Sequence, residues 1–379
     1  MKAGLQMQYT SYGNTGLSVS RFGLGCMRFP ENEKDAIGMV RYAIDHGVNY
    51  VDTAYSYKDS ETITGKALRD GYRKRTLVAT KSPVWLVEKH ADFEKFLDEE
   101  LRRLGTDYID VYLLHNLTHT HWAQVQRYDG LTFLDKMVEK GKVLHKAFSI
   151  HNTLPAFRQI ADAFDWDMAQ IQLNILDENQ QVGVEGLKYG AAKGLAMVVM
   201  EPLRGGHLLQ NVPQEARGLI EQYPEKRSLA EWCFRWLYDK PEISVVLSGT
   251  STLEQLKDNL RIFGDARPGV MSEDGRRLIA AIRAAFEAKH SIGCTGCGYC
   301  MPCPEGVRIP ELFRLYNGHR LMKPSIIDKI FYKNSIVPAG LGADRCVACG
   351  ACASRCPQSL DIPELLRKVH EELMEEDAP

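Results

Sequence analysis

Eight of the ten cysteines fall between Cys294 and Cys356, in a pattern that occurs twice. Cys294, Cys297 and Cys300 recur 52 residues later as Cys346, Cys349 and Cys352, and Cys303-Pro304 recurs as Cys356-Pro357. The match continues with Ile309-Pro310-Glu311-Leu312 against Ile362-Pro363-Glu364-Leu365, and Arg314 against Arg367. Each half therefore reads as a cysteine loop followed by a helix with proline in its first turn.

The region Met1 to Tyr12 lacks an apolar core of signal-peptide length, which points to a cytoplasmic protein. In a reducing compartment, clustered thiols hold metal more often than they form disulfides. Three ligands at two-residue spacing can wrap one face of an iron–sulfur cubane, and a fourth, set aside by proline, reaches the neighbouring cluster. The spacing predicts two [4Fe–4S] clusters, one on Cys294, Cys297, Cys300 and Cys356, the other on Cys346, Cys349, Cys352 and Cys303. Only two residues separate Cys300 from Cys303, so local ligation by each quartet is the alternative. Two structural Cys₄ zinc sites are the other reading of eight thiols. The isolated Cys26 and Cys233 read as buried and inert.

The first 289 residues have a different rhythm. Short apolar runs alternate with amphipathic helical stretches, as in parallel strands covered by helices. Eight strands are expected: Ser20–Gly25, Val48–Asp52, Leu77–Thr80, Ile109–Leu114, Val143–Ser149, Met168–Leu173, Met197–Met200 and Ile243–Leu247. Several are apolar throughout, as strands buried on both faces should be. Gly47 and Gly105 stop helices that carry Ile37, Val40 and Ile44, and Phe93, Phe96, Leu97, Leu101 and Leu104. Eight such units in about 250 residues predict a closed (β/α)₈ TIM barrel. The turn Gly13-Asn14-Thr15-Gly16 predicts a hairpin closing its bottom, 213–240 reads as an insertion, and a helix over 272–289 leads to the cysteines. The expected domains are thus 1–289, the barrel, and 290–379, a small α-helical domain resembling two-cluster ferredoxins.

Functional residues of such a barrel sit at the C-terminal ends of its strands. Those ends carry Asp52, then Tyr57 in the same loop, Lys81 and His115. A lysine near a phenol favours the phenolate, so Lys81 is expected to lower the Tyr57 pKa, with Asp52 holding the lysine. His115 could hydrogen-bond a substrate oxygen. Ser248-Gly249-Thr250-Ser251-Thr252 opens a helix after the eighth strand, where backbone N–H groups and the helix dipole suit a phosphate. Gly23-Leu24-Gly25 lacks the third glycine and downstream acid of a Rossmann turn. His119 and His121, beside Trp122, read as a solvated loop, with a pocket wall or a metal site as alternatives.

Val51-Asp52-Thr53-Ala54-Tyr55-Ser56-Tyr57 with Ser60-Glu61 resembles the aldo-keto reductase signature. Ala79-Thr80-Lys81 and Asp110-Val111-Tyr112-Leu113-Leu114-His115 resemble the segments carrying that family's lysine and histidine. The resemblance runs across residues 8–264, and the whole chain resembles the prokaryotic branch bearing a C-terminal two-cluster domain. It implies hydride transfer between NAD(P)H and a small carbonyl or alcohol substrate. Tyr57 would be the general acid or base, Lys81 and Asp52 would tune it, and His115 would polarise the carbonyl. Ser149 and Gln170 match residues that bind the nicotinamide carboxamide, and Met200 stands where an aromatic usually stacks. Leu203, within Leu203-Arg204-Gly205-Gly206, and Gly249 and Thr250 fall at the pyrophosphate. Gln255, Asp258 and Asn259 fall on the adenine side. Gln255 and Gly249 replace basic residues, so NADP(H) is expected with NAD(H) not excluded.

With 47 basic and 49 acidic residues, net charge gives no case for nucleic-acid binding, and no apolar stretch is long enough for a membrane span. The expected function is an NAD(P)H-dependent oxidoreductase fused to an iron–sulfur module that is structural or serves an external redox carrier. Nicotinamide delivers two electrons and each cluster accepts one, so direct exchange does not follow from the fusion. The alternative is an electron-transfer or regulatory subunit whose barrel senses NAD(P)H redox state.

Overall fold

The computed structural model describes residues 6–210, 212–288, 292–321 and 326–375. The chain forms two compact units. One takes the chain up to Pro202 with Phe234–Met271; the other takes Leu203–Cys233 with everything from Ser272 onward.

In the first unit, β1 (Tyr9–Ser11) and β2 (Ser18–Ser20) pair as an antiparallel hairpin. Eight parallel strands follow: β3 (Phe22–Gly25), β4 (Tyr50–Asp52), β5 (Leu77–Ser82), β6 (Ile109–Leu114), β7 (Val143–Ile150), β8 (Met168–Gln172), β9 (Ala196–Met200) and β10 (Ile243–Gly249). They close in the order β10-β3-β4-β5-β6-β7-β8-β9, the expected (β/α)₈ barrel. Sequence ends and observed ends differ by a few residues for local reasons. Ser20 pairs with Tyr9 in the hairpin, and the Val48 N–H is taken by Ala43 at a helix end, so β3 and β4 each start two residues late.

Residues two apart on a strand share a face. Tyr50, Ala79, Val111, Leu113, Ala147, Met168, Ala196, Val198, Val245 and Leu247 form the packed barrel interior, and the hairpin adds Tyr12 and Val19 from below. The Tyr12 and Tyr50 hydroxyls meet at 3.1 Å. Gly13 has φ +54°, and a Cβ there would lie 2.4 Å from the Ala196 nitrogen, so the turn is pressed onto the start of β9. Stepping two residues up each inward row reaches Asp52, Lys81, His115, Ser149, Gln170, Met200 and Gly249. The strand period therefore gathers the expected site residues at the C-terminal mouth.

The helices Ser60–Ala67 and Ala91–Leu104 pack through Gly65, where a Cβ would meet the Leu104 carbonyl oxygen at 2.5 Å. A backbone atom cannot swing aside. Gly65→Ala is expected to destabilise the chain by about 1–3 kcal/mol in urea unfolding.

The second unit is not contiguous in sequence. The helix Glu273–Glu287 packs against the helix Gln214–Gln222, so the end of the expected barrel domain and the part of the expected insertion up to Cys233 group with the cysteines, while 234–240 stay with the barrel unit. The two repeat helices, Ile309–Leu321 and Ile362–Met374, share one core that includes Leu312, Phe313, Tyr316, Leu366, Val369 and Leu373. The Tyr316 hydroxyl and Arg320 both donate to Glu372, each at 2.9 Å. Among the described residues, no helix is long and apolar enough to cross a membrane.

Candidate active site and thiolate cavity

Lys81, fully buried, donates all three of its N–H bonds: to the Asp52 Oδ1 and Oδ2 at 2.6 and 2.7 Å and to the Thr53 carbonyl at 2.6 Å. Its Nζ lies 5.0 Å from the centre of the Tyr57 ring. The His115 imidazole meets the same ring edge-on, with centroids 5.9 Å apart, and Trp85 lies 5.3 Å from His115. The four expected residues are thus brought together, but the wiring differs from the sequence expectation. No Lys81 N–H remains for the phenol, and its charge is held by Asp52. Burial pushes the Tyr57 pKa above the usual tyrosine value, with the charges of Asp52 and Glu201 adding to the rise and Arg28 opposing it. Tyr57 therefore holds its proton at neutral pH. Burial, and then the charge of Lys81, hold His115 well below the ordinary histidine value, so its imidazole is neutral.

Sequence reasoning missed three neighbours at this mouth: Trp85, His151 and Glu201. His151 directly follows β7 and Glu201 directly follows β9, so strand-end position alone could have found both. His151 Nε2 lies 3.8 Å from Glu201, and its Nδ1 lies 3.3 Å from the Gln181 side-chain oxygen. Asn116, Gln181 and Glu201 have φ of +53°, +55° and +54°, three strained backbones on three mouth loops. The expected His119–His121 loop is instead the start of a helix, His119–Arg127, capped by Thr118 accepting from the His121 N–H. His121 is half-buried, with Nδ1 on the Asn116 carbonyl. The side chain of His119 lies outside the described residues.

Burial lowers His151 to about 4. The unfolded chain binds this proton near pH 6.5 and the folded chain refuses it until about 4, so this contribution is complete above pH 6.5 and is lost as pH falls towards 4. It amounts to about 3 kcal/mol. Urea unfolding at pH 7.5 and pH 4.5 is expected to show that loss, and His151→Gln to reduce it.

The remaining mouth residues form two groups. Ser149 Oγ accepts from the Asn116 N–H at 2.8 Å. Gln170 donates to Met200 Sδ at 3.6 Å, while its side-chain carbonyl oxygen is buried without a partner among the described residues. At the other end, Thr250 Oγ1 is likewise buried and unpartnered, and Gly249 is exposed. The helix Leu253–Phe263 begins there, with Thr252 accepting from the Gln255 N–H at 3.2 Å and Gln255 accepting from the Ser251 N–H at 3.0 Å. Asn259 is buried and donates to Ser248 at 3.1 Å, whereas Asp258 pairs with Arg261. Leu203 falls in the second compact unit. An orphaned acceptor at one end and an orphaned hydroxyl beside a helix N-terminus at the other fit a nicotinamide carboxamide and a phosphate.

In the second unit, Cys294, Cys297, Cys300 and Cys356 border one cavity, walled also by Phe313, Leu360 and Ile362. Burial, with the three sibling thiols adding, pushes Cys300 up to about 12. Cys352 is raised by burial, with Cys346 and Cys349 nearby, and Cys303 packs against the same apolar core. The repeat extends to conformation: Gly296 and Ala348, at matching places, have φ of +67° and +53°. No described cysteine is in a disulfide. Among the described residues, no three His, Cys, Asp or Glu side chains could hold a single metal ion. A zinc tetrahedron would need sulfurs about 3.8 Å apart. Four thiols spread around a cavity suit a larger group. Cys26 and Cys233 are buried in the first and second units respectively.

A parallel barrel with a buried lysine–carboxylate pair under a tyrosine and a histidine at its mouth defines an oxidoreductase. Comparison with known proteins sharpens this. The profile of the aldo/keto reductase family matches residues 21–267, and that of a 4Fe-4S dicluster domain matches 293–360. The chain belongs to the aldo/keto reductase family and carries a 4Fe-4S dicluster domain fused to it. It is 28% identical over 310 residues to the aldo-keto reductase YhdN of Bacillus subtilis, covering 68% of this chain and 89% of the relative. Identity to the L-galactose dehydrogenase of Arabidopsis thaliana is 26% over 305 residues, covering 73% and 94%. Among solved structures, the holo form of aldo-keto reductase AKR11C1 from Bacillus halodurans superposes with a TM-score of 0.63 at 25% identity, covering 73% of this chain and 96% of that one.

Proposed function

We propose that the chain is a cytoplasmic NAD(P)H-dependent carbonyl reductase, working on small aldehydes, ketones or the corresponding alcohols. The observation that carries the reading is the fully buried Lys81, satisfied by Asp52 and Thr53, beneath a protonated Tyr57 and a neutral His115. The nucleotide, when bound, supplies hydride. The chain's own residues do the rest. Tyr57 gives its proton to the substrate oxygen, His115 donates a hydrogen bond to that oxygen, and the Lys81–Asp52 pair fixes the floor on which Tyr57 rests. Ser149 and Gln170 would hold the carboxamide, with Met200 packing beside it. Gly249 and Thr250 would take the pyrophosphate, and Gln255, Asp258 and Asn259 the adenosine. With no cation at Gln255 or Gly249, the choice between NADP(H) and NAD(H) rests on contacts other than a salt bridge at those positions.

The dicluster domain, 290–379, holds two [4Fe–4S] clusters in this reading. The shared cavity of Cys294, Cys297, Cys300 and Cys356 supports the crossed arrangement, leaving Cys346, Cys349, Cys352 and Cys303 for the second cluster. The clusters would supply one-electron exchange.

An anaerobic visible spectrum before and after NADPH, with and without a small aldehyde, tests both halves. The expected result is steady NADPH oxidation only when aldehyde is present, with iron–sulfur absorption unchanged. Absence of turnover across a panel of carbonyl compounds, with NADPH bound, would favour the sensor.

A further inference from the structure

The two thiol quartets have unlike surroundings. All four thiols of the first are half-buried, and its loop is covered from behind within the same unit. A Cβ on Gly296 would lie 2.4 Å from His207 Nε2, and one on Gly293 would lie 3.8 Å from the Arg204 guanidinium. The second loop is open. Cys349 is exposed, Val347 is 63% exposed, and Ala348 and Ala351 are exposed beside them. No charged side chain lies between Cys346 and Cys352.

The rim of this small apolar surface is cationic. Arg345 and Arg355 bracket the three cysteines, both are exposed, and neither is in an ion pair among the described residues. Two arginines of the repeat helices are engaged, Arg320 with Glu372 and Arg367 with Glu364 and Glu371, whereas Arg308 and Arg314 are exposed and, like the pair on this rim, in no ion pair among the described residues. Of the two acids nearest in sequence, Asp361 is turned to its own helix, accepting from the Glu364 N–H at 3.3 Å, and Asp344 remains beside Arg345.

We propose that the loop from Arg345 to Arg355 is the docking face for an acidic one-electron carrier protein, and that the second cluster is the port through which electrons enter or leave this unit. The inference rests on reading both quartets as [4Fe–4S] ligands. Cys346, Cys349, Cys352 and Cys303 would hold the cluster, which would supply one-electron exchange: the carrier would be oxidised by one electron and the cluster reduced by one, with no bond or proton changing hands. An apolar centre allows close approach, and free guanidinium groups steer a negative partner.

The test uses the full-length holoprotein, prepared anaerobically, with an acidic [2Fe–2S] ferredoxin as the probe. Iron and sulfide are measured first; a chain holding far fewer than about eight of each contradicts the two-cluster reading itself. Affinity of the oxidised holoprotein for immobilised ferredoxin, and the second-order rate at which reduced ferredoxin bleaches the clusters, are then followed against salt. Both are expected to fall as salt rises. Arg345→Glu with Arg355→Glu should weaken both roughly tenfold or more at low salt, leave bleaching by dithionite unchanged, and improve the reaction with a basic cytochrome c. Because these arginines adjoin Cys346 and Cys356, Val347→Glu provides a second variant, and each is checked for iron content. Affinity independent of salt in the unaltered protein, or equal in the charge-reversed and unaltered proteins, overturns the proposal.

Discussion

Tyr57→Phe is expected to lower kcat for carbonyl reduction by roughly 10²–10⁴-fold while leaving NAD(P)H affinity nearly unchanged. The substitution removes one oxygen from a ring whose packing against Lys81 and His115 is retained. The neighbours cannot replace the lost proton. The N–H groups of Lys81 are taken by Asp52 and Thr53, and His115 carries no extra proton at neutral pH. The pH dependence follows from the direction of the Tyr57 shift. A raised pKa keeps the acid form present, so the reduction rate of the unaltered protein should show no alkaline fall before about pH 10, the ordinary tyrosine value. Steady-state kinetics between pH 6 and 10, with nucleotide binding followed by fluorescence quenching, would check both parts. A Tyr57→Phe chain that still turns over within a factor of ten would remove Tyr57 from the chemistry.

Lys81→Met is expected to damage the fold as well as the reaction. Asp52 is 4% exposed, and Lys81 supplies both contacts to its carboxylate oxygens. Taking the cation away leaves a carboxylate in the barrel mouth without its partner, a loss of about 3–5 kcal/mol. The double replacement Lys81→Met with Asp52→Asn removes the stranded charge and should recover part of that stability without recovering activity. Urea unfolding of the three chains separates the two effects. Equal stability of Lys81→Met and the unaltered protein would mean that Asp52 is solvated or protonated in the folded state.

The parts legible in the sequence are those governed by short-range periodicity. Runs such as Ile109–Leu114 are buried on both faces, and their composition announces it. Once strands are located, a period of two carries Ala79 to Lys81 and Tyr50 to Asp52, and so gathers the site. The charges were harder to read. A lysine near a tyrosine suggests a depressed pKa, yet the outcome depends on which acceptors take the three N–H groups, and Thr53 contributes a backbone oxygen that no side-chain pattern reveals. His151 and Glu201 were hidden differently. Each sits one step past a strand end, on loops whose strained φ values reflect tertiary packing. The crossed approach of Cys356 to the first three thiols follows a spacing rule, but the covering of Gly296 by His207 joins residues almost ninety positions apart and leaves no local trace.

The discontinuity of the second unit has a consequence for biosynthesis. Leu203–Cys233 leaves the ribosome before β10 exists, while the rest of its compact unit, from Ser272 on, is still unmade. During that interval Trp232 and the other apolar side chains of the segment have no finished core to join. The barrel, too, waits for its last strand. Unlike a module strung on the end of a chain, this one cannot fold after its neighbour as an afterthought, nor be cut away at a single point. Its maturation, and the loading of whatever its thiols carry, is tied to completion of the whole polypeptide, the interval in which chaperones have most to protect.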